Sequence, residues 1–287
     1  LSPDDITIDD IVITSIFLVL SLTVVTPILV LEANISLIAL IPIVGLSYGF
    51  FLYYTGRILS GITSAFFVLT IFKADIPIIE GPAHAGLSLY LVDPLASVLF
   101  GILVYDLDLD FQRSTNNRLG ILALLGLVVF VLWSYLAAAV GNGPSQIAAT
   151  IFAIEQTRYL FIFVVSLLIA VRMGPKFGIY PLLVSIAGNL LYAIVEAFSG
   201  NTLGLTYLGD GNDRVLSELV LGPWTFSTGL YAGAFTGNTR HLIGLLLLLL
   251  PFLIFLTIYG SRLVTIASFF GILGVGFIII FGETDAG

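Results

Sequence analysis

The sequence predicts an all-α fold, a polytopic transmembrane helical bundle of about nine spans, from its apolar composition and its long apolar runs. Hydrophobic residues make up 59% of the chain, charged residues make up 10%, and the mean hydropathy is +1.13. Soluble domains carry about half apolar and about a quarter charged residues. We therefore expect a single transmembrane domain over residues 1–287, integral to the cell membrane and multi-pass.

Apolar runs of about 17 to 25 residues mark the predicted spans. Each must be a helix, because lipid cannot satisfy open backbone groups. Very short turns join the first three runs, which predicts antiparallel neighbours. The runs cover residues 11–31, 35–54, 56–72, 87–105, 119–140, 159–173, 177–198, 242–259 and 263–281.

The two ends of the chain suggest a fragment. The chain begins at Leu1 without a signal-like segment, and it stops at GETDAG directly after an apolar run. We expect a large outer loop and later spans to be missing.

Charge and composition exclude several classes of partner and chemistry. The net charge of −8 disfavours nucleic acid as a partner, because phosphate contacts need a cationic surface. Aspartate-rich segments such as LSPDDITIDD fit a halophilic host, although an acidic segment in a mesophile is the alternative.

The absence of cysteine excludes disulfides and thiolate metal sites. His84 and His241 lack metal-ligand spacing with a carboxylate, so we predict neither a metal nor a cofactor.

Cations near the span ends predict a cytoplasmic amino terminus, because that orientation places six of them inside and four outside. The loops at 141–158 and 199–241 would then face outward. The inner set is Arg57, Arg113, Arg118, Arg172, Lys176 and Arg262, and the outer set is Lys73, Arg158, Arg214 and Arg240.

Polar clusters on that outer face supply the candidate substrate-binding residues. Arginine suits phosphate because its planar fork makes bidentate, permanently charged contacts. The alternative is that each arginine snorkels to the interface from the end of a span. The candidates are Arg158, which follows Glu155, Gln156 and Thr157, together with Arg214, Asn238, Arg240 and His241.

Two carboxylates lie deeper in the predicted spans and need a partner or an aqueous cavity. Asp93 is placed about six residues into the fourth span, beside Pro94, and Glu196 lies near the outer end of the seventh. For Asp93, a structural role at a proline break is the alternative to a functional one.

The segment 229–260 joins a Gly-rich polar stretch to a Leu-rich span. Gly229, Gly233 and Gly237 recur every four residues, which suits either close approach of a ligand or packing between helices. His241 is a candidate general base beside Arg240. Consecutive helical residues point about 100° apart, so adjacency alone does not aim both at one ligand.

The order of features over residues 151–287 resembles the O-antigen ligase and O-antigen polymerase superfamily. The run LLYAIVEAFSGNTLGLTYLG, a polar outer loop, TGLYAGAFTGNTRHLIGLLLLLLPFLIFL and a further span carry the resemblance. In that family a G-x-F-x-N-x-N-like sequence precedes a Leu-rich span, and the matching positions here look like Gly233, Phe235 and Asn238.

The resemblance implies a metal-independent inverting glycosyltransferase with a polyprenyl-diphosphate-linked glycan as donor and a glycan or a lipid as acceptor. The family uses outward-facing arginines against the diphosphate and a histidine from a large outer loop as base. That histidine does not map onto this chain, so the catalytic residues stay unknown. The family commonly has an arginine just before the Gly-Phe-Asn entry. The segment TFSTGLY at that place contains none, so Arg214 or Arg240 would have to substitute.

Two other functions remain open. A transporter or flippase would use Asp93 and Glu196 as coupling or substrate groups, with broken helices around Pro94 and Gly233. The other is a non-catalytic membrane scaffold or a truncated remnant.

Overall fold

Helices dominate the structure, and two short antiparallel hairpins accompany them. The computed structural model describes residues 6–25, 37–72, 75–80, 86–105, 118–141, 144–199, 215–221, 224–230, 253–260 and 262–281, with a few more between 247 and 251. Its elements are α1 (Ile8–Leu20), a π-helical turn (Ser21–Val25), α2 (Leu37–Thr55), α3 (Ile58–Ile71), β1 (Asp75–Glu80), β2 (Gly86–Tyr90), α4 (Val92–Tyr105), α5 (Arg118–Val140), α6 (Pro144–Arg172), α7 (Lys176–Ser199), β3 (Val215–Leu221), β4 (Trp224–Leu230) and α8 (Arg262–Phe281). Residues 253–259 are also helical. The dominance of helix confirms the all-α class.

The chain divides into two compact units, each with its own buried apolar side chains. The first unit comprises Leu1–Ser15, Leu52–Leu69 and Asp75–Pro181, and the second comprises Ile16–Phe51, Thr70–Ala74 and Leu182–Gly287. Buried side chains of the first unit include Ile11, Phe66, Leu99, Leu103 and Ile169. Those of the second include Val19, Leu22, Tyr48, Leu190 and Val275.

Two described helical segments are long and apolar enough to cross a membrane, Leu122–Val140 in α5 and Gln146–Arg172 in α6. Only 17% and 11% of their most apolar windows are buried, whereas the core helix of a soluble protein is mostly buried. Side chains such as Leu132 and Val129 are more than half exposed. A helix that is apolar all round and exposed needs an apolar surrounding, which favours membrane association. The prediction of about nine spans is not confirmed.

The first hairpin corrects the predicted fourth span. β1 pairs antiparallel with β2, with Asp75 opposite Tyr90, and the register shifts between Pro77 and Ile79. A bulge is a position where a strand tolerates proline. The prediction that residues 87–105 form one helix is therefore wrong over its first residues. The segment GLSLY alternates apolar and polar residues with a period of two, which is a strand pattern that the span length concealed.

The second hairpin lies wholly within the predicted outer loop at 199–241. β3 pairs antiparallel with β4 along its whole length, from Val215 opposite Leu230 to Leu221 opposite Trp224. Gly229 lies in β4 and pairs with Leu216, so its interpretation as a helix-packing residue is wrong. The segment WTFS alternates aromatic side chains with hydroxyl residues, which favours a strand.

A capping box begins α1. The Thr7 hydroxyl oxygen accepts a hydrogen bond from the Asp10 amide at 3.2 Å. In return Asp10 Oδ2 accepts bonds from the Thr7 amide at 3.2 Å and from the Thr7 hydroxyl at 2.6 Å. These bonds satisfy donors at the helix start that have no partner within the helix. Asp10 Oδ1 also accepts a bond from Arg57 Nε at 2.5 Å, which ties this end of α1 to the residue before α3.

We expect the stabilisation from Asp10 to be lost at low pH. The side-chain hydrogen bond from Thr7, followed by the bond from Arg57, lowers the pKa of Asp10 below its usual 3.8. A carboxyl whose pKa is lower in the folded state stabilises the protein above pH 3.8 and loses that effect as the pH falls through the folded pKa. Asp10→Asn should therefore lower the free energy of unfolding near pH 6 by up to about 1 kcal/mol, a modest figure because Arg57 and Asp10 are partly exposed.

Thermal unfolding of the two proteins in detergent between pH 3 and 7 measures this effect. The difference between wild type and Asp10→Asn should shrink as the pH falls below 4. Asp9→Asn, at an exposed neighbouring carboxylate, is the control and should show a smaller effect. A difference that stays constant over this pH range would contradict the assignment.

Candidate functional site

Of the predicted substrate-binding residues, Arg158 lies in the part of the chain that the structure describes. Arg214, Asn238, Arg240 and His241 lie outside it. So does His84, and Glu196 belongs to α7 with its side chain outside the described set. The candidate site is therefore built around Arg158.

Arg158 lies within α6 and not in an outer loop before a span, which corrects the prediction. α6 is continuous over its 29 residues from Pro144 to Arg172. Proline is suited to the first helical position, and the following residues include alanine, glutamate, glutamine and arginine, which favour helix. At 1.5 Å per residue, Arg158 lies about 20 Å from either end of α6. The same continuous helix includes Glu155, Gln156 and Thr157.

Asp93 lies in the first turn of α4 and not six residues into a helix, which corrects a second prediction. Its Oδ2 accepts a hydrogen bond from the Tyr90 amide at 3.0 Å. Pro94 costs little here because the first-turn amides have no partner within the helix. Pro94 therefore accompanies the start of α4 and does not interrupt a span.

The Arg158 cluster, which we define as Tyr90, Asp93, Arg158 and Tyr159, brings the end of β2, the start of α4 and the middle of α6 together. The Arg158 Cζ lies 3.7 Å from the Tyr90 ring centroid and 4.9 Å from the Tyr159 ring centroid. Its Nε lies 4.0 Å from Asp93 Oδ1. The positive charge of one arginine is therefore surrounded by two aromatic rings and one carboxylate.

The charged pair of the cluster, Arg158 and Asp93, is largely buried, and its hydrogen bonds are incomplete. The side chains of Arg158 and Asp93 are only 13% and 23% exposed. A separation of 4.0 Å is too long for a hydrogen bond, so this ion pair is held by charge alone. Asp93 Oδ1 is buried and accepts no hydrogen bond from any described residue. The cation–π contacts engage the charge of Arg158 and use none of its five N–H donors in conventional hydrogen bonds.

A hydroxyl pair fixes α5 against α6 beside the cluster. Tyr135 Oη and Thr157 Oγ1 lie 3.0 Å apart. Thr157 donates its hydroxyl proton to the Ala153 carbonyl at 3.0 Å, so Tyr135 is the donor to Thr157. This bond holds the residue next to Arg158 in place. It also gives Tyr135 a specific hydrogen-bond partner.

Sequence reasoning found both charged members of the cluster and missed their contact and their aromatic neighbours. Tyr90 was hidden within the predicted fourth span and Tyr159 was assigned to the start of the sixth. One signal was available, because Tyr90 and Asp93 are separated by the spacing of a local side-chain to backbone hydrogen bond. No signal within either segment indicated that Asp93 and Arg158 meet.

Chemically, the cluster presents a permanent positive charge on a forked donor beside a carboxylate with a spare acceptor atom. Arginine of this kind recognises phosphate and carboxylate groups.

Over the described residues no three histidine, cysteine, aspartate or glutamate side chains are grouped so as to hold a metal ion. The chain matches no family model, no curated protein and no solved structure.

Proposed function

We propose that this chain is a multi-pass integral membrane protein of the cell membrane that transfers or polymerises a polyprenyl-diphosphate-linked glycan onto a glycan or lipid acceptor at the outer face. The observation that carries the proposal is the Arg158 cluster. It is a largely buried arginine, held between two tyrosine rings within an apolar helix, with none of its N–H donors hydrogen-bonded to a described residue. An ionised side chain within a membrane-spanning helix is costly and commonly marks a functional site.

The chemistry of glycan transfer matches such an arginine. Departure of a diphosphate leaving group concentrates negative charge on its bridging oxygen. Donors already held in place stabilise that developing charge more than they stabilise the ground state. Arg158 would supply one such contact, and Arg214 and Arg240 would supply others.

Arg158→Lys tests this function while retaining the positive charge. Lysine lacks the bidentate fork, so we expect the rate of glycan transfer to fall at least tenfold. The measurement is glycan transfer from a polyprenyl-diphosphate donor by the purified full-length protein in liposomes. Glu155→Gln removes a charge from the same helix outside the cluster and should retain activity. Undiminished transfer by Arg158→Lys would reject the role of Arg158.

The same assay applied to Arg214→Ala and Arg240→Ala tests the two proposed partners. Each should reduce transfer, because a diphosphate offers more acceptor oxygens than one arginine engages. Undiminished transfer in both variants would reject this assignment and leave Arg158 as the proposed contact. No transfer by the wild-type protein would reject the function.

A second candidate function is a transporter or flippase of a lipid-linked or small substrate. The pairing of Asp93 with Arg158 favours it, because paired charges within membrane helices commonly lie on substrate pathways. Flux of a fluorescent lipid-linked glycan across liposomes distinguishes the two candidates. Transport without glycosidic bond formation would select the second.

A further inference from the structure

The Arg158 cluster places a buried oxygen without a hydrogen bond next to a guanidinium that forms no hydrogen bond with a described residue. Asp93 Oδ1 accepts no hydrogen bond within the described structure, and Arg158 Nε lies 4.0 Å from it. A buried polar group without a hydrogen bond is costly, so the arrangement persists only if something offsets that cost. A ligand that supplies both an acceptor and a donor would satisfy both side chains.

We propose that the Arg158 cluster binds a phosphate ester that carries a free hydroxyl near the phosphate. The phosphate oxygens accept hydrogen bonds from Arg158, and the hydroxyl donates to Asp93 Oδ1. The proposal rests on the proposed function in one respect, which is that Arg158 meets a phosphate. It adds that Asp93 selects the hydroxylated member of that class.

The carboxylate is the reason for selectivity. Asp93 lies beside the arginine, so any anion that binds Arg158 also approaches a negative charge and is repelled by it. A hydroxyl hydrogen bond to Asp93 Oδ1 offsets that repulsion, and a phosphate ester without a hydroxyl has nothing to offset it. Sites built to bond a ligand hydroxyl reject analogues that lack it, because the acceptor is left unpaired.

The two tyrosines hold the guanidinium and leave its donors for a ligand. Tyr90 and Tyr159 contact Arg158 through Cζ, at 3.7 and 4.9 Å from their centroids. Such contacts fix a cation without using its N–H groups. The side chains of Arg158 and Asp93 are 13% and 23% exposed, so a ligand can approach the pair from the surface. Asp93 Oδ1 itself is buried, so the hydroxyl contact requires a rotation of the Asp93 or Arg158 side chain, without unfolding of α4 or α6.

The hydroxylated phosphate has two possible sources, a lipid headgroup or a free polyol phosphate. The lipid test compares phosphatidylglycerol with phosphatidylethanol, which has the same charge and no headgroup hydroxyl. The free-ligand test compares glycerol 1-phosphate with ethyl phosphate. Affinities are measured for the purified full-length chain in phosphatidylcholine nanodiscs, by native mass spectrometry for the lipids and by calorimetry for the free esters.

We expect wild type to prefer the hydroxylated member of at least one pair by about ten- to a hundredfold, the range for a hydrogen bond to a charged group. The pair that shows the preference identifies the source. Asp93→Asn retains an oxygen for the Tyr90 amide and removes the charge, and it should abolish the preference. Glu155→Gln should preserve it.

Equal affinities within both pairs in wild type would overturn the proposal, and this comparison needs no variant to fold. A preference that survives in Asp93→Asn would also overturn it. The outcome is separable from that of the proposed function. A hydroxyl preference without glycan transfer rejects the function alone, and glycan transfer without the preference rejects this inference alone.

Discussion

Replacement of Arg158 by alanine is expected to lower the free energy of unfolding by about 3 kcal/mol, the lower end of the range for breaking a buried ion pair. The substitution leaves the Asp93 carboxylate, which is only 23% exposed, without its positive partner. It also removes the contacts with the rings of Tyr90 and Tyr159. Denaturant or thermal unfolding of the full-length protein in detergent measures the effect.

A double substitution separates loss of the pair from loss of the arginine stem. Arg158→Ala combined with Asp93→Asn removes the uncompensated charge, so it should be more stable than Arg158→Ala alone. Glu155→Ala is the matched control on α6 and should change stability little, since Glu155 forms no ion pair with a described residue. Equal stability of Arg158→Ala and Glu155→Ala would show that the ion pair contributes nothing measurable.

Gly188→Ala is expected to destabilise the second unit by about 1–3 kcal/mol through overpacking. A Cβ atom at Gly188 of α7 would overlap Val19 Cγ1 and would lie 3.7 Å from both Val19 Cβ and Thr23 Cγ2. Valine has one strongly preferred rotamer in a helix, so Val19 cannot turn aside, and the two helices must separate. The greater helix propensity of alanine recovers less than about 1 kcal/mol of this cost.

Gly126→Ala in α5 is the control for Gly188→Ala. Among the described residues, no atom outside the local backbone of α5 lies within 4 Å of a Cβ built at Gly126, so this substitution should be neutral or slightly stabilising. Unfolding of both variants is compared in the same detergent. Equal stability of the two variants would contradict the close packing of Gly188 against Val19.

Much of the helical architecture is predictable from the sequence. Predicted spans at 35–54, 119–140, 177–198 and 263–281 differ by only a few residues from α2, α5, α7 and α8. Long apolar runs determine these helices because a chain that buries its polar backbone in an apolar surrounding must satisfy its hydrogen bonds internally. The number of membrane spans stays a prediction.

Both hairpins and the true length of α6 were missed for related reasons. Hydropathy averaged over a span-length window hides a period-two pattern as short as GLSLY. The same average separates the polar run Glu155 to Arg158 from the apolar run that follows it, although both belong to one helix. Local helix propensity and the proline at the start of α6 were more informative than hydropathy at this point.

The predicted resemblance to the O-antigen ligase and polymerase superfamily rests on residues 151–287, and parts of that segment, including 200–214 and 231–246, lie outside the described structure. The functional proposal therefore relies on Arg158, whose surroundings are described. The sequence predicted Arg158 in an outer loop. In the structure it lies within a continuous helix, is largely buried and is paired with Asp93. That change makes the cluster testable through stability as well as through activity.

The sequence by itself determined the helical class, the extreme apolarity and the scarcity of charge, because these follow from composition and from the needs of a backbone in an apolar surrounding. It also singled out Arg158 as a candidate phosphate contact, and Asp93 as a carboxylate within an apolar run that requires a partner or an aqueous cavity. Only the tertiary structure decided that each is the partner of the other. They are 65 residues apart in the chain (158 − 93), and the packing of α4 against α6 together with the end of β2 joins them. Contacts at such separation depend on how elements pack, and no local pattern of residues encodes them.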